Sequence, residues 1–188
     1  MSGLWQSPSA SVEQILGRPA TGLTLHEVLQ LDHRRVLQLF HAASCPGMAE
    51  LDGEYRAVSH PAGPWAVPAR LFLEHWFGPG RWVGKAFQPR SATSGFGYNL
   101  FADAGTATSF RRGRKLETGL APSAFDGRDS FHLDYKGDNR GAFTLMHDEL
   151  RKVNDDLYLG LGYLRLPAGR HFSSAFVIYG PPMPWVGC

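Results

Sequence analysis

The stretch FTLMHDELRKVNDDLYLGLGYLRL, residues 143–166, decides the fold class. Two strand-like runs in it flank the triplet Asn154-Asp-Asp156, a pattern that predicts an antiparallel β-hairpin. Comparable short runs recur between residues 50 and 180, where glycine- or proline-rich turns separate them. Residues 106–120 are typical of a strand pair around Gly113, whereas the apolar and aromatic run 71–77 is compatible with either a helix or a strand. We therefore predict roughly eight to ten short strands over this range, at a spacing typical of a closed antiparallel barrel or a sandwich.

The whole chain, residues 1–188, reads as one domain. Its N-terminal segment is predicted to be helical, because Thr24 and Glu27 form a capping box and apolar residues follow at helical spacing until about Ala43. The strand-rich segment and a proline-rich tail come next. The fold class is therefore mainly β, an antiparallel β-barrel with an N-terminal helical segment. The predicted segments are helical at 1–45, barrel at 50–180 and tail at 181–188.

The composition excludes several classes of function. The chain has 22 glycines, 13 prolines, 5 tryptophans, 6 tyrosines and 12 phenylalanines, which favours short strands and turns over long helices. A formal net charge of +2 is too balanced for a dedicated nucleic-acid binder. No apolar run reaches the roughly 18 residues that membrane insertion needs. The start of the sequence lacks the pattern of a secretory signal, so we expect a cytoplasmic protein.

A short motif lies near the middle of the chain. Gly80-Arg-Trp82-Val-Gly84 has the spacing Gly-x-Trp-x-Gly, and the strand-like Gly53-Glu-Tyr55-Arg precedes it. Together with the later stretch from Asp148 to Gly162, this order of elements resembles the GXWXG / DUF4334 family of small lipocalin-like barrels. The resemblance extends over residues 20–166.

The resemblance implies a lipocalin-like barrel with an internal apolar cavity that binds a lipid or a lipophilic small molecule. The sequence departs from the family at Tyr55 and Ala57, where the family has Trp and Gly, and residues 90–140 match no family motif. An NTF2-like α+β cone, which also begins with helices and encloses a cavity, is the alternative fold.

Trp82 lies between the glycines of the motif. Glycines let a strand bend sharply where a small barrel closes, and the indole then fills the barrel floor, where its N–H needs a partner. We therefore expect a mainly structural role for Trp82, with ligand contact as the alternative. Strand alternation places Lys85 on the face opposite Trp82, where it is either solvated or holds an anionic headgroup at a cavity mouth.

The pentapeptide Phe131-His-Leu-Asp-Tyr135 holds the first candidates for catalysis. Alternation puts His132 and Asp134 on one face of the strand and Tyr135 on the other. A carboxylate beside an imidazole orients a general base, which is the catalytic interpretation of His132 and Asp134. Inside an apolar cavity, Tyr135 would instead donate to a substrate oxygen. The competing interpretation is a solvated face of His132 and Asp134.

Asp148 is the fourth catalytic candidate. It lies between two apolar residues in strand alternation, so an inward-facing strand would place a carboxylate suited to proton transfer inside the barrel. An ion pair on the outer face is the alternative. The remaining candidates for ligand binding are tyrosines that either line a cavity or serve as ordinary strand packing: Tyr98, Tyr158 and Tyr163.

Sequence motifs for cofactors and metals are absent. The 8 histidines are scattered without the spacing of metal ligands, and 2 cysteines are too few for a cysteine-rich zinc site. We expect no cofactor and no metal.

Two functions follow from these features. The first is binding of a hydrophobic small molecule or lipid in a barrel cavity. The alternative is a cofactor-independent isomerase, cyclase or lyase that acts on a hydrophobic metabolite by acid/base catalysis. The expected partner is a hydrophobic ligand or substrate, with no nucleic acid, and the sequence leaves a homodimer open.

Overall fold

The computed structural model describes residues 10–102, 109–167 and 169–188. Eight antiparallel strands close into a barrel in which each strand pairs with its neighbours in sequence and the first strand pairs with the last. The predicted closed antiparallel barrel is confirmed, and the α+β cone is wrong. The strands are β1 (Gly53–Ser59), β2 (Trp82–Pro89), β3 (Ser94–Ala102), β4 (Phe110–Pro122), β5 (Asp129–Asp134), β6 (Met146–Asn154), β7 (Leu157–Leu166) and β8 (Gly169–Met183).

Alternation along β5 and β6 determines which side chains enter the barrel. Phe131, Leu133 and Tyr135 belong to the interior cluster of rings and aliphatic side chains. In the paired strand, Asp148 lies opposite Leu133, and His147 lies opposite Asp134. The predicted division of both strands into two faces is confirmed.

Three helices precede the barrel: α1 (Val12–Leu16), α2 (Leu25–Leu29) and α3 (His33–Ala42). The Thr24 capping box is present, since Thr24 accepts from the Glu27 amide and the Glu27 carboxylate accepts from the Thr24 amide. The single helix expected from Thr24 to Ala43 is divided, because Asp32 adopts extended backbone and caps a new helix at the Arg35 amide.

These helices cover one outer face of the barrel. Val36, Leu39 and Phe40 of α3 are fully buried, and they pack in one cluster with Leu159 and Val177 from the outer faces of β7 and β8. Each such side chain contributes about 1.5–3 kcal/mol when it is removed from water. Helix α3 is therefore anchored to the barrel wall.

One barrel end is covered by α4 (Ala66–His75), in a region whose type the sequence left undecided. Phe72 and Leu73 point from α4 onto the interior cluster. A 3-10 turn at Gly141–Leu145 lies beside the same end and adds Phe143. Among the described helices, none has the length and apolar character needed to cross a membrane.

The opposite barrel end is filled by side chains. A 3-10 turn at Met48–Glu50 reaches it, and the hydroxyls of Tyr55 and Tyr158 both donate to the Glu50 carbonyl, at 3.2 and 3.3 Å. The ring of Phe87 packs against the Phe131 ring there. The interior is thus packed with side chains at this end.

Two boundaries differ from the sequence prediction. Residues 106–120 were expected to form two strands around Gly113, but β4 is continuous through Gly113 because it pairs with β3 on both sides of it. Residues 106–108 lie outside the described residues. At the C-terminus, β8 continues to Met183, which pairs with Glu54, so the first residues of the predicted tail belong to the barrel.

Candidate functional site

A cavity of about 330 Å³ occupies the barrel interior beneath α4. Trp65 and Phe172 stand at its mouth, where their rings pack edge to face with centroids 4.5 Å apart and remain 39% and 46% exposed. The wall is almost entirely apolar or aromatic. Polar side chains reach it at Lys85, Tyr135, Asp148, Tyr163 and Ser174.

Lys85 lies at this wall with only 2% of its surface exposed. Its Nζ donates to Asp148 Oδ2 at 2.8 Å, to Asn99 Oδ1 at 3.0 Å and to the Tyr135 hydroxyl at 2.5 Å. Three acceptors match the three protons of an ammonium group. The rings of Trp82 and Tyr135 lie 5.4 and 5.2 Å from Nζ, which adds cation–π attraction.

The acceptors around Lys85 are themselves held in place. The Tyr135 hydroxyl donates to Asp148 Oδ2 at 3.0 Å, so Asp148 receives both a charged and a neutral donor. Asn99 accepts from the Trp82 indole at 3.0 Å and donates to the Arg114 carbonyl at 2.9 Å. We call the four residues Lys85, Tyr135, Asp148 and Asn99 the polar cluster.

Burial changes the ionisation of two of these groups. It lowers the pKa of Lys85, because the ammonium loses water, while the nearby Asp148 carboxylate acts in the opposite direction. It raises the pKa of Tyr135 well above 10, and the negative charge of Asp148 adds to this effect. Tyr135 therefore stays protonated at ordinary pH and acts as a hydrogen-bond donor.

A β-bulge brings Lys85 and Trp82 to the same side of the sheet. The pairing of β2 with β3 shifts between Trp82 and Gly84, so Val83 is an extra residue and the alternation reverses after it. The prediction that Lys85 lies opposite Trp82 is therefore wrong. Gly84 allows β1 to approach, since a Cβ there would lie 2.3 Å from the Tyr55 carbonyl oxygen.

Aromatic side chains close the cavity from above. The Phe72, Phe77 and Phe143 rings have centroids 5.8 to 6.3 Å apart. Arg114 ties them to the barrel: its Nε donates to the Phe77 carbonyl at 2.6 Å, and its guanidinium lies 3.6 Å from the centre of the Phe143 ring. The cover over the cavity is therefore fastened by one arginine from β4.

The structure brings four of the predicted site residues together. Trp82, Lys85, Tyr135 and Asp148 all line the cavity and are joined by contacts within the polar cluster. The catalytic interpretation of Asp148 required an inward position, and it has one. Tyr163 also contributes to the lining, although its hydroxyl points to the outer face and donates to Glu149 at 3.1 Å.

Two other predicted ligand-binding tyrosines lie elsewhere. Tyr158 is inside the barrel but at the packed end, away from the cavity lining. Tyr98 is on the outer face, where its hydroxyl donates to Glu54 at 2.5 Å and its ring centre lies 4.5 Å from that of Trp185. The C-terminal residues thus cover Tyr98.

His132 and Asp134 lie on the outer face of β5, outside the cavity. His132 Nδ1 is 2.7 Å from His147 Nε2, and its other ring nitrogen donates to the Ala121 carbonyl at 3.0 Å. Asp134 accepts from Arg165 at 3.1 Å. Burial, with the positive charge of Arg165, lowers the pKa of His147 to about 3. These groups form a polar network on the outer face of the barrel wall.

Sequence reasoning missed three parts of the site: Asn99, Arg114 and the aromatic cover of Phe72, Phe77 and Phe143. Asn99 had a usable signal, because it alternates with Phe101 on a strand whose other inward positions are apolar. Arg114 had none, since its role depends on the register shift of β4 against β3. Within the described ranges, no three side chains of His, Cys, Asp or Glu converge as a metal-binding group.

The chain matches no protein-family model and no sequence among the curated proteins. A solved structure of a protein from Thermomonospora curvata is similar to it, with a TM-score of 0.52 and 17% sequence identity. The similarity covers 80% of this chain and 88% of that chain. At this identity the likeness shows the fold, and it supports the barrel.

Proposed function

We propose that this protein binds a hydrophobic small molecule or lipid inside the barrel. The observation that carries the proposal is an apolar cavity of about 330 Å³ with a small group of hydrogen-bonded polar side chains on one wall. Ligand sites in proteins are typically concave and mostly apolar, with a few polar groups that orient the ligand.

The charges at the wall favour a ligand whose buried end is neutral. Lys85 and Asp148 are in contact, so together they carry no net charge. A carboxylate placed beside them would bring a second negative charge next to Asp148, at the cost of its own hydration. A hydroxyl or carbonyl oxygen instead exchanges hydrogen bonds with Lys85 or Tyr135 without adding charge. This replaces the anionic headgroup, which the sequence offered as one of two alternatives at Lys85.

The lipocalin-like character and the relation to the GXWXG / DUF4334 family are part of the same proposal. The position of Trp82 supports them, because its ring lines the cavity beside a bulge and its indole N–H donates to Asn99. The cytoplasmic location and the homodimer stay predictions from the sequence.

A pair of adjacent serines on β8 allows a matched test of binding. Ser174 lines the cavity, whereas Ser173 lies outside its lining. We expect the neutral dye N-phenyl-1-naphthylamine to fluoresce strongly with the wild-type protein. In Ser174→Phe the new ring fills the cavity, and the affinity should fall by about tenfold or more, which corresponds to about 1.4 kcal/mol.

Ser173→Phe is the control, and it should bind the dye as the wild type does. Equal dye affinity in the two variants would contradict the cavity as the binding site, as would a wild-type protein that does not bind the dye at all.

A second candidate function is acid/base catalysis by the same wall. The observation that favours it is the contact of three titratable groups, Lys85, Tyr135 and Asp148, in a buried position that faces the cavity. Asp148 would take a proton from a carbon next to a carbonyl, and Tyr135 would donate to the carbonyl oxygen. This is the chemistry that an isomerase, cyclase or lyase needs.

Deuterium exchange tests this candidate with a simple ketone. In D2O, the wild-type protein should accelerate the exchange of the α-hydrogens of 2-octanone, measured by NMR, and Asp148→Asn should remove the acceleration. If 2-octanone displaces the dye but its α-hydrogens exchange at the uncatalysed rate, the catalytic candidate is wrong. Binding alone would then remain as the function.

A further inference from the structure

The position of Lys85 differs from that of every other lysine in the chain. The sequence has four lysines, and the structure describes all of them. Lys115 and Lys136 are exposed, and Lys152 is half-buried at the surface, where Glu50 and Asp155 hold its amine. Lys85 is the one that ends at the wall of an apolar cavity.

We propose that Lys85 forms an imine with a hydrophobic aldehyde or ketone held in the cavity. This names the ligand class of the site described above, and it rests on the function proposed there. It also assigns a covalent role to an amine that is otherwise held by polar contacts with Asp148, Asn99 and Tyr135.

The side chains around Lys85 suit each step of imine formation. The Lys85 ammonium first gives a proton to Asp148, which lies 2.8 Å away, and becomes a neutral amine. The nitrogen lone pair then forms a bond to the carbonyl carbon, while the C–O π pair moves to the oxygen. The Tyr135 hydroxyl can polarise that oxygen by donating a hydrogen bond.

A proton moves from nitrogen to oxygen, which gives a carbinolamine. Asp148 then returns its proton to the hydroxyl group, water leaves with the C–O bond pair, and the nitrogen lone pair completes the C=N bond. The sum is one ammonium and one carbonyl converted to one iminium and one water, with Asp148 again a carboxylate. No oxidant or other reactant is needed.

The electrostatics of the wall favour the product. The iminium carries the same single positive charge as the ammonium that it replaces, so Asp148 remains its counter-ion and no new charge is buried. Burial lowers the pKa of Lys85, which increases the share of neutral amine. At the surface, by contrast, Glu50 and Asp155 raise the pKa of Lys152, which decreases the share of neutral amine there.

The apolar cover protects the product from water. Phe72, Phe143 and Trp82 line the cavity around the polar cluster, and they reduce the water that would hydrolyse the C=N bond. These rings surround the space into which the part of the ligand beyond its carbonyl group would extend. A carbonyl compound with an aliphatic or aromatic tail therefore fits the site.

Reductive trapping tests the proposal on the wild-type protein. The protein is incubated with octanal and sodium cyanoborohydride near neutral pH, and the modified lysine is located by peptide mass mapping. Reduction fixes the imine as an amine that carries the mass of octanal less one oxygen. We expect the adduct on Lys85 to exceed that on each of Lys115, Lys136 and Lys152 by about tenfold, because the cavity holds the octanal carbonyl beside the Lys85 amine.

Two controls separate covalent capture from simple binding. Excess 1-octanol, which has no carbonyl, should suppress the adduct on Lys85 and leave the surface lysines unchanged. Displacement of N-phenyl-1-naphthylamine by octanal and 1-octanol measures binding independently of any reaction.

The outcomes are distinguishable. Selective labelling of Lys85 that 1-octanol suppresses supports the imine. Displacement of the dye by octanal without labelling of Lys85, or with labelling spread over the surface lysines, overturns the imine and leaves the binding function standing. If neither octanal nor 1-octanol displaces the dye, this ligand class is wrong, whereas a wild-type protein that binds no dye overturns the binding function itself.

Discussion

The two faces of β5 and β6 carry similar residues in different surroundings. On the inner face, Asp148 contacts Lys85 and Tyr135 beside a cavity. On the outer face, His147 contacts His132, with Asp134 and Arg165 nearby. Residues 129–135 and β6 therefore present titratable groups to both sides of the barrel wall.

Burial alone does not separate the two faces. His147 is 2% exposed on the outer face, and Asp148 is 5% exposed on the inner face. The difference is that the inner groups border a cavity large enough for a ligand, whereas His132, Asp134 and His147 lie outside its lining. We conclude that a polar cluster becomes a candidate site when it combines burial with access to a cavity.

The largest effect is expected when the inner ion pair is broken. Lys85→Met leaves Asp148 buried without its counter-ion, and we expect it to lower the free energy of unfolding by about 3–5 kcal/mol. Urea denaturation followed by circular dichroism measures this loss.

The double variant Lys85→Met/Asp148→Leu is the control, because two apolar side chains bury no charge. It should recover most of the lost stability. A single variant as stable as the wild type would show that the inner pair does not behave as a buried pair.

The outer face should contribute to the dependence of the free energy of unfolding on pH. A pKa of about 3 for His147 lies below the value of about 6.5 for a histidine in an unfolded chain. Between these values the unfolded chain binds more protons, so stability falls as the pH decreases from about 6.5, by up to about 1.4 kcal/mol per pH unit. His147→Gln should remove this part of the slope, as measured by denaturation at a series of pH values.

The comparison is with the inner face, where Phe131→Leu changes no titratable group and should keep the wild-type slope over the same pH range. Identical slopes in the wild type and His147→Gln would mean that His147 titrates normally.

The cover over the cavity should affect ligand binding more than folding. Arg114→Met removes the hydrogen bond to the Phe77 carbonyl and the contact with the Phe143 ring. We expect the free energy of dye binding to weaken by about 1–2 kcal/mol, mainly through faster dissociation measured by stopped-flow fluorescence. An unchanged dissociation rate would show that the cover does not limit escape.

The smallest effect is expected on the exposed part of the outer network. Asp134 is partly exposed and pairs with the more exposed Arg165, so Asp134→Asn should change stability by less than about 1 kcal/mol. Dye affinity should not change, since Asp134 lies outside the cavity. A loss of dye binding in this variant, measured by the same titration, would show that the outer face takes part in ligand binding.

Much of the fold was predictable from local patterns. The hairpin around Asn154, the capping box at Thr24 and the two faces of residues 131–135 depend on turn chemistry and alternation, which are properties of the sequence itself. The same alternation divided Asp148 and Tyr135 from their neighbours, but it left open which of the two faces points into the barrel.

The site was less predictable, because it depends on register. The bulge at Val83 reverses the alternation of β2, so Lys85 enters the barrel although counting from Trp82 places it outside. The aromatic cover depends on which rings of α4 and of the neighbouring segments reach the barrel end, and this is a property of the tertiary structure. Tyr98 and Tyr158 resemble cavity residues in sequence, but their positions around and along the barrel place them elsewhere.

Competition between ligands of different charge tests the central claim most directly. The wild-type protein is loaded with N-phenyl-1-naphthylamine and titrated with 1-octanol, octanoate or octylamine at pH 7. Because Lys85 and Asp148 already balance each other, 1-octanol should displace the dye at a concentration about tenfold lower than either charged compound, a difference of about 1.4 kcal/mol. Displacement by octanoate at the lowest concentration would contradict this account, since Lys85 would then act as a free cation.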